Sequence, residues 1–203
     1  MKSYFFNLIT ITLILLSSFL SPVFAQDAMS DLKKSINQVL ALLKESKKTG
    51  TPATKTIQCK QIFQMAIDLF DFPEMSKRTL GKNWKKITPD QQKIFSDLFA
   101  RFLANIYYNR LDEYTNETVK FIDQRQHGED KALIKTVIVT QKNEIPMDYS
   151  LLKKDRWKVY DVSIEGVSLV RNYRSQFNKI LRKKGINDLI DMMKKKLGQF
   201  SNI

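Results

Sequence analysis

Apolar residues recur at helical spacing through the first half of the chain and at alternate positions through much of the second. From Met29 to about Lys44, Leu32, Ile36, Val39, Leu40 and Leu43 return every three or four residues, with Lys33, Lys34 and Lys44 on the other side. That spacing predicts an amphipathic helix. Ser46 to Thr56 holds Gly50 and Pro52 among small polar residues and reads as a turn or short linker. A second helix is predicted over Ile57 to Phe70, with Ile62, Ala66, Leu69 and Phe70 inward. Pro73 ends that pattern, and short helical or irregular structure follows through Leu80, Gly81 and Trp84. Thr88, Pro89 and Gln91 then combine a cap, a first-turn proline and the glutamine of a capping box. Beyond them Ile94, Leu98, Phe99, Phe102, Leu103, Ile106, Tyr107, Leu111 and Tyr114 outline the longest helix.

The period changes between Thr118 and Gly166. Four strands are predicted, at Thr118 to Arg125, Lys131 to Thr140, Glu144 to Leu152 and Arg156 to Ile164. The links between them are too short for crossover helices, so neighbours should pair antiparallel. Helical spacing returns in Val170, Tyr173, Phe177, Ile180 and Leu181, and after Gly185 a shorter helix runs from Ile186 to Leu197. The expected class is α+β, an antiparallel four-stranded sheet packed against several helices.

Charge and composition narrow the function. Lys2 precedes an apolar run from Phe5 to Leu16, and Pro22 and Ala25 supply a break and a small residue before Gln26. Residues 1–25 therefore read as a cleavable export signal and 26–203 as a single domain. Cys59 is the only cysteine, which leaves no intramolecular disulfide and makes stability a matter of core packing. The formal charge is +13, but the basic groups are scattered over several elements, and no nucleic-acid partner is expected. His127 is the only histidine and lies in a turn, and there is no phosphate-binding loop or nucleophile elbow, so neither a metal nor a cofactor is expected. Asp68, Asp71 and Asp161 sit in apolar segments, where they serve either as acids of raised pKa or as caps and ion-pair partners. The 13 Phe and 7 Met suit equally a filled core and a lined cavity.

Two blocks carry a resemblance. Leu69-Phe70-Asp71-Phe72, Leu80-Gly81, Trp84 and Thr88-Pro89-Asp90-Gln91-Gln92 with Phe95 form the first. Ile145-Pro146-Met147-Asp148-Tyr149, Trp157 to Val162, Ile164 to Val170 and Asn172-Tyr173-Arg174 with Phe177 form the second, more specific one. Together they resemble the MlaC family, also called toluene-tolerance or ABC-transporter auxiliary proteins, over almost all of the chain after residue 25. The resemblance implies a periplasmic phospholipid carrier of a Gram-negative envelope and not an enzyme. It implies a cone-shaped, NTF2-like architecture with an apolar cavity between the layers and the lipid headgroup near its mouth. The implied partners are phospholipid, an inner-membrane ABC transporter with an MCE-domain protein, and an outer-membrane lipoprotein/porin complex.

The positions expected to face the layer interface are Leu69, Phe72, Phe99, Leu103, Val137, Val139, Met147, Tyr149, Tyr160, Val162 and Tyr173, with Arg174 as a phosphate contact. The sequence departs from the family at Ser150, where a longer basic side chain is expected after the tyrosine. Two other readings keep the same fold: a small-molecule isomerase or hydrolase-like enzyme built on a buried carboxylate, and an envelope adaptor whose core is filled.

Overall fold

The computed structural model describes residues 27–49, 52–112 and 117–199. The predicted export signal lies outside them. Helix α1 spans Ala28–Thr49 and α2 Pro52–Leu69, so the expected linker of residues 46–56 is largely helical. Pro52 opens α2, where its missing N–H costs nothing.

Pro73 likewise starts an element and does not merely end one. It lies in the first turn of α3, Phe72–Leu80, whose cap is Asp71: the Glu74 amide donates to Asp71 Oδ1 at 3.1 Å. A 3-10 turn over Gly81–Lys86 leads to α4, Pro89–Asp112. Its capping box is reciprocal, with the Gln91 amide donating to Thr88 Oγ1 at 3.2 Å and the Thr88 amide to Gln91 Oε1 at 3.0 Å.

The predicted strands form a meander: β1 Thr118–His127, β2 Lys131–Val139, β3 Glu144–Lys153 and β4 Trp157–Ile164. A two-residue strand, β5 (Val167–Ser168), adds a fifth member, and the order is β1-β2-β3-β4-β5 with every pair antiparallel. Glu165 and Gly166 turn between β4 and β5 with φ of 50° and 80°, the double positive φ that a tight two-residue hairpin requires. Helices α5, Leu169–Leu181, and α6, Ile186–Gln199, complete the described chain.

Register decides which side chains share a face. Ala132 pairs with Leu151, Ile134 with Tyr149 and Thr136 with Met147, and Tyr149 in turn pairs with Val162. This face is covered by α1 through Ala28 and Leu32, with Met29 and Ile36 packed beside them. The Met29 amide donates to Gln124 Oε1 at 2.8 Å and pins the start of α1 to β1. Two bulges interrupt the ladder, one leaving Ile122 unpaired in β1 and one leaving Tyr160 unpaired in β4. The outer edge of β4 is covered in part by a bridge from Phe70 to Val159, in which the Asp71 amide donates to the Val159 carbonyl at 2.8 Å, and by β5.

Most of the buried apolar residues among those described fall into two groups. A sheet cluster joins Leu32, Ile134, Tyr149, Leu151, Trp157, Val159 and Val162. A helix cluster gathers α3, α4, α5 and α6 around Phe95, Phe99, Tyr173, Phe177 and Met193.

Candidate functional site

The segment from Trp157 to Phe177 builds the joint between sheet and helices. Ser168 caps α5 by accepting from the Arg171 amide at 3.1 Å. Asp161 supports it from β4: the Ser168 hydroxyl donates to Oδ2 at 2.5 Å and the Val170 amide to Oδ1 at 3.1 Å. Two orphan donors at the start of a helix thus meet oxygens of Asp161 and Ser168. Further along, Arg174 Nε donates to the Arg78 carbonyl at 2.7 Å, and Nη2 donates to the same oxygen. This closes the end of α3 beside Gly81, whose φ of 56° favours glycine. The Arg78 guanidinium lies 4.1 Å from the Tyr160 ring and pairs with Glu74 at 2.9 Å.

The positions expected at the layer interface separate into three places. Met147, Tyr149 and Val162 share the helix-covered face of the sheet, and Leu69 packs on the same cluster. Phe72, Phe99, Leu103 and Tyr173 belong to the helix cluster, with Tyr160 at its margin. Val137 and Val139 pair with Pro146 and Glu144, out of phase with Met147 and Tyr149, and so lie on the opposite face. The pleat corrects the expectation that these two valines share a wall with the others. Arg174 is exposed, but at least two of its donors are committed to α3.

A cleft of about 240 Å³ opens between α1, α2 and the start of β4. Its lining includes Asp31, Lys34 and Gln38 from α1, Met65, Asp68 and Leu69 from α2, and Arg156 and Trp157. Apart from Leu69, and Asp68 as a carboxylate in an apolar segment, sequence reasoning did not single these residues out as a site. The available signal was spacing: Asp31, Lys34 and Gln38 stand three and four residues apart, and Asp68 and Leu69 follow Met65 by three and four.

The carboxylates in apolar segments take structural roles. Asp71 caps α3, and Lys154 Nζ lies 2.5 Å from its Oδ2. Asp161 holds α5, and Asp68 Oδ1 lies 3.5 Å from Arg156 Nη2. Among the described residues no group of three or more His, Cys, Asp or Glu could hold a metal ion, and no helix is long and apolar enough to cross a membrane.

Burial pushes the Tyr149 phenol from 10.0 up to about 12, and burial, with Tyr107 nearby, raises Tyr173 to about 12 as well. Both folded values lie above the unfolded ones. Their stabilisation is therefore complete below about pH 10 and is lost as pH rises towards 12. For Tyr149 two units correspond to about 2–3 kcal/mol. Urea midpoints should fall between about pH 10 and 12, and phenolate absorbance should show two late-titrating tyrosines; a flat midpoint would contradict the assignment.

Comparison with known proteins places this architecture. The phospholipid-binding protein from Ralstonia solanacearum, solved in complex with a phospholipid, has the same fold, with a TM-score of 0.76 at 24% identity over 86% of this chain and 99% of that one. An intermembrane phospholipid transport system binding protein, MlaC of Haemophilus influenzae, is 25% identical over 128 residues, 60% of each chain. A toluene tolerance protein of Pseudomonas putida is 32% identical over 108 residues, 52% of this chain and 49% of that one. The chain thus matches between about half and three fifths of the length of these curated relatives. The family model described as MlaC protein matches residues 33–195, from within α1 to within α6, and the chain belongs to that family.

Proposed function

We propose that this protein is a periplasmic phospholipid carrier, moving lipid between an outer-membrane lipoprotein/porin complex and an inner-membrane ABC transporter containing an MCE-domain protein. The observation that carries this reading is the family match over residues 33–195, which takes in the whole sheet and most of the helical layer. Asp68, Asp71 and Asp161 are each engaged in a cap or an ion pair, which favours binding over catalysis.

The acyl chains lodge against the helix-covered face of the sheet, where Leu69, Met147, Tyr149 and Val162 meet. At about 0.8 kcal/mol per methylene, two chains of roughly 14 methylenes each carry on the order of 20 kcal/mol of exposure cost. The carrier must replace most of that burial without exceeding it, or unloading fails. Movement in one direction then requires an energy source in the partner transporter.

Solvent extraction and mass spectrometry of the protein purified from the envelope should recover phospholipid. Met147→Glu puts a charge on the lining face and should lower loading about tenfold or more. Val139→Glu, on the other face, should load as the parent does. A persistently empty parent after incubation with donor vesicles would overturn the carrier reading, and full loading of Met147→Glu would overturn the lining.

A further inference from the structure

The cleft between α1 and α2 is too small for acyl chains and carries charges that acyl chains do not need. At roughly 30 Å³ per water-sized group, its 240 Å³ holds about eight such groups. That is room for a phosphate, a two-carbon arm and an amine, and far short of two chains of roughly 14 methylenes each. The cleft nevertheless borders the sheet cluster, because Leu69 packs on that cluster and Trp157 is part of it.

The charge balance of the rim is the second observation. The whole chain has 34 Lys and Arg against 21 Asp and Glu. The lining of the cleft instead holds two cations, Lys34 and Arg156, and two carboxylates, Asp31 and Asp68. An anionic ligand calls for a basic pocket; a balanced rim matches a ligand that carries both signs on separate atoms. Arg156 is held in place, its Nη2 donating to the Asp68 carbonyl at 2.8 Å, and the guanidinium has five N–H groups in all. Its side chain remains 46% exposed, within reach of a ligand entering from solvent.

We infer that this cleft seats the headgroup of a zwitterionic phospholipid of the ethanolamine type, with the phosphate towards Lys34 and Arg156, the ammonium towards Asp31 and Asp68, and the chains passing Leu69 into the sheet cluster. The inference rests on the carrier reading and adds a headgroup preference to it. That preference is modest, because rim charges remain in contact with water.

Vesicles containing equal amounts of phosphatidylethanolamine and phosphatidylglycerol supply the test. After incubation and re-isolation, lipid bound to the protein is extracted and counted by mass spectrometry. The parent should take up phosphatidylethanolamine over phosphatidylglycerol by about fivefold, the gain expected of a few exposed ion pairs acting together. In the Asp31→Asn/Asp68→Asn double variant the ratio should fall to about one or invert. Each single variant is measured as well, so that a double variant that fails to fold does not end the experiment. A parent without preference, or variants that keep the parent's ratio, overturns the headgroup seat while leaving the carrier reading intact. A parent that binds neither lipid removes both.

Discussion

Phe99→Ala should lower the unfolding free energy by about 3–5 kcal/mol, the range for removing a buried phenyl ring. Phe99 is fully buried at the centre of the helix cluster. Its ring lies 5.8 Å from Phe95, 5.6 Å from Tyr173 and 5.9 Å from Phe177, the last two edge-on. Truncation therefore removes apolar burial and several ring contacts, each worth about 0.5–1.5 kcal/mol. The neighbours come from α4 and α5, so the void opens between helices that cannot collapse without shifting against the sheet. Against a total stability of about 5–15 kcal/mol, the variant should unfold at a much lower urea concentration, with far- and near-ultraviolet circular dichroism moving together. A loss below about 1 kcal/mol would mean that the cluster repacks freely.

Asp161→Ala should cost about 3 kcal/mol, as expected for two hydrogen bonds to a charged acceptor lost at a partly buried helix start. The carboxylate accepts from the Ser168 hydroxyl and the Val170 amide, and Ser168 in turn caps α5. Ser168→Ala alone should cost about 1 kcal/mol, the usual worth of a cap. Because both side chains act on one helix end, the double variant should lose clearly less than the two single losses added together. Full additivity in urea denaturation would refute the shared network.

Much of the fold was legible because local chemistry marks it. The capping box at Thr88 and Gln91 and the polar turns between strands located α4 and four strands to within a few residues. Prolines were read less well. Pro52 falls among linker-like residues and Pro73 at the end of an apolar pattern, yet both stand in first turns, where a missing N–H is harmless. β5, with two residues, is too short to show a period.

The site was harder. β2 is apolar on both parities, with Ile134 and Ile138 alternating against Leu133, Val137 and Val139, so alternation alone could not say which set faces α1. The bulge at Tyr160 shifts the phase of β4 from Trp157 and Val159 to Val162. Arg174 was legible as a charge beside Tyr173, but its carbonyl partner on Arg78 is a main-chain atom distant in sequence, which no side-chain pattern reports. The cleft assembles from three separated segments, and only the packing of α1 against α2 brings their charges to one rim.

The two edges of the sheet differ in what they offer another molecule. The outer side of β4 is partly taken by Phe70, Asp71 and β5. Among the described residues the outer side of β1 has no neighbouring strand, but the strand is bent by the bulge at Ile122 and carries Lys120, Asp123 and Arg125 along its length. A charged, kinked border is a poor template for a second copy. Among the described residues, both margins therefore disfavour the strand-to-strand pairing through which sheets grow into fibrils.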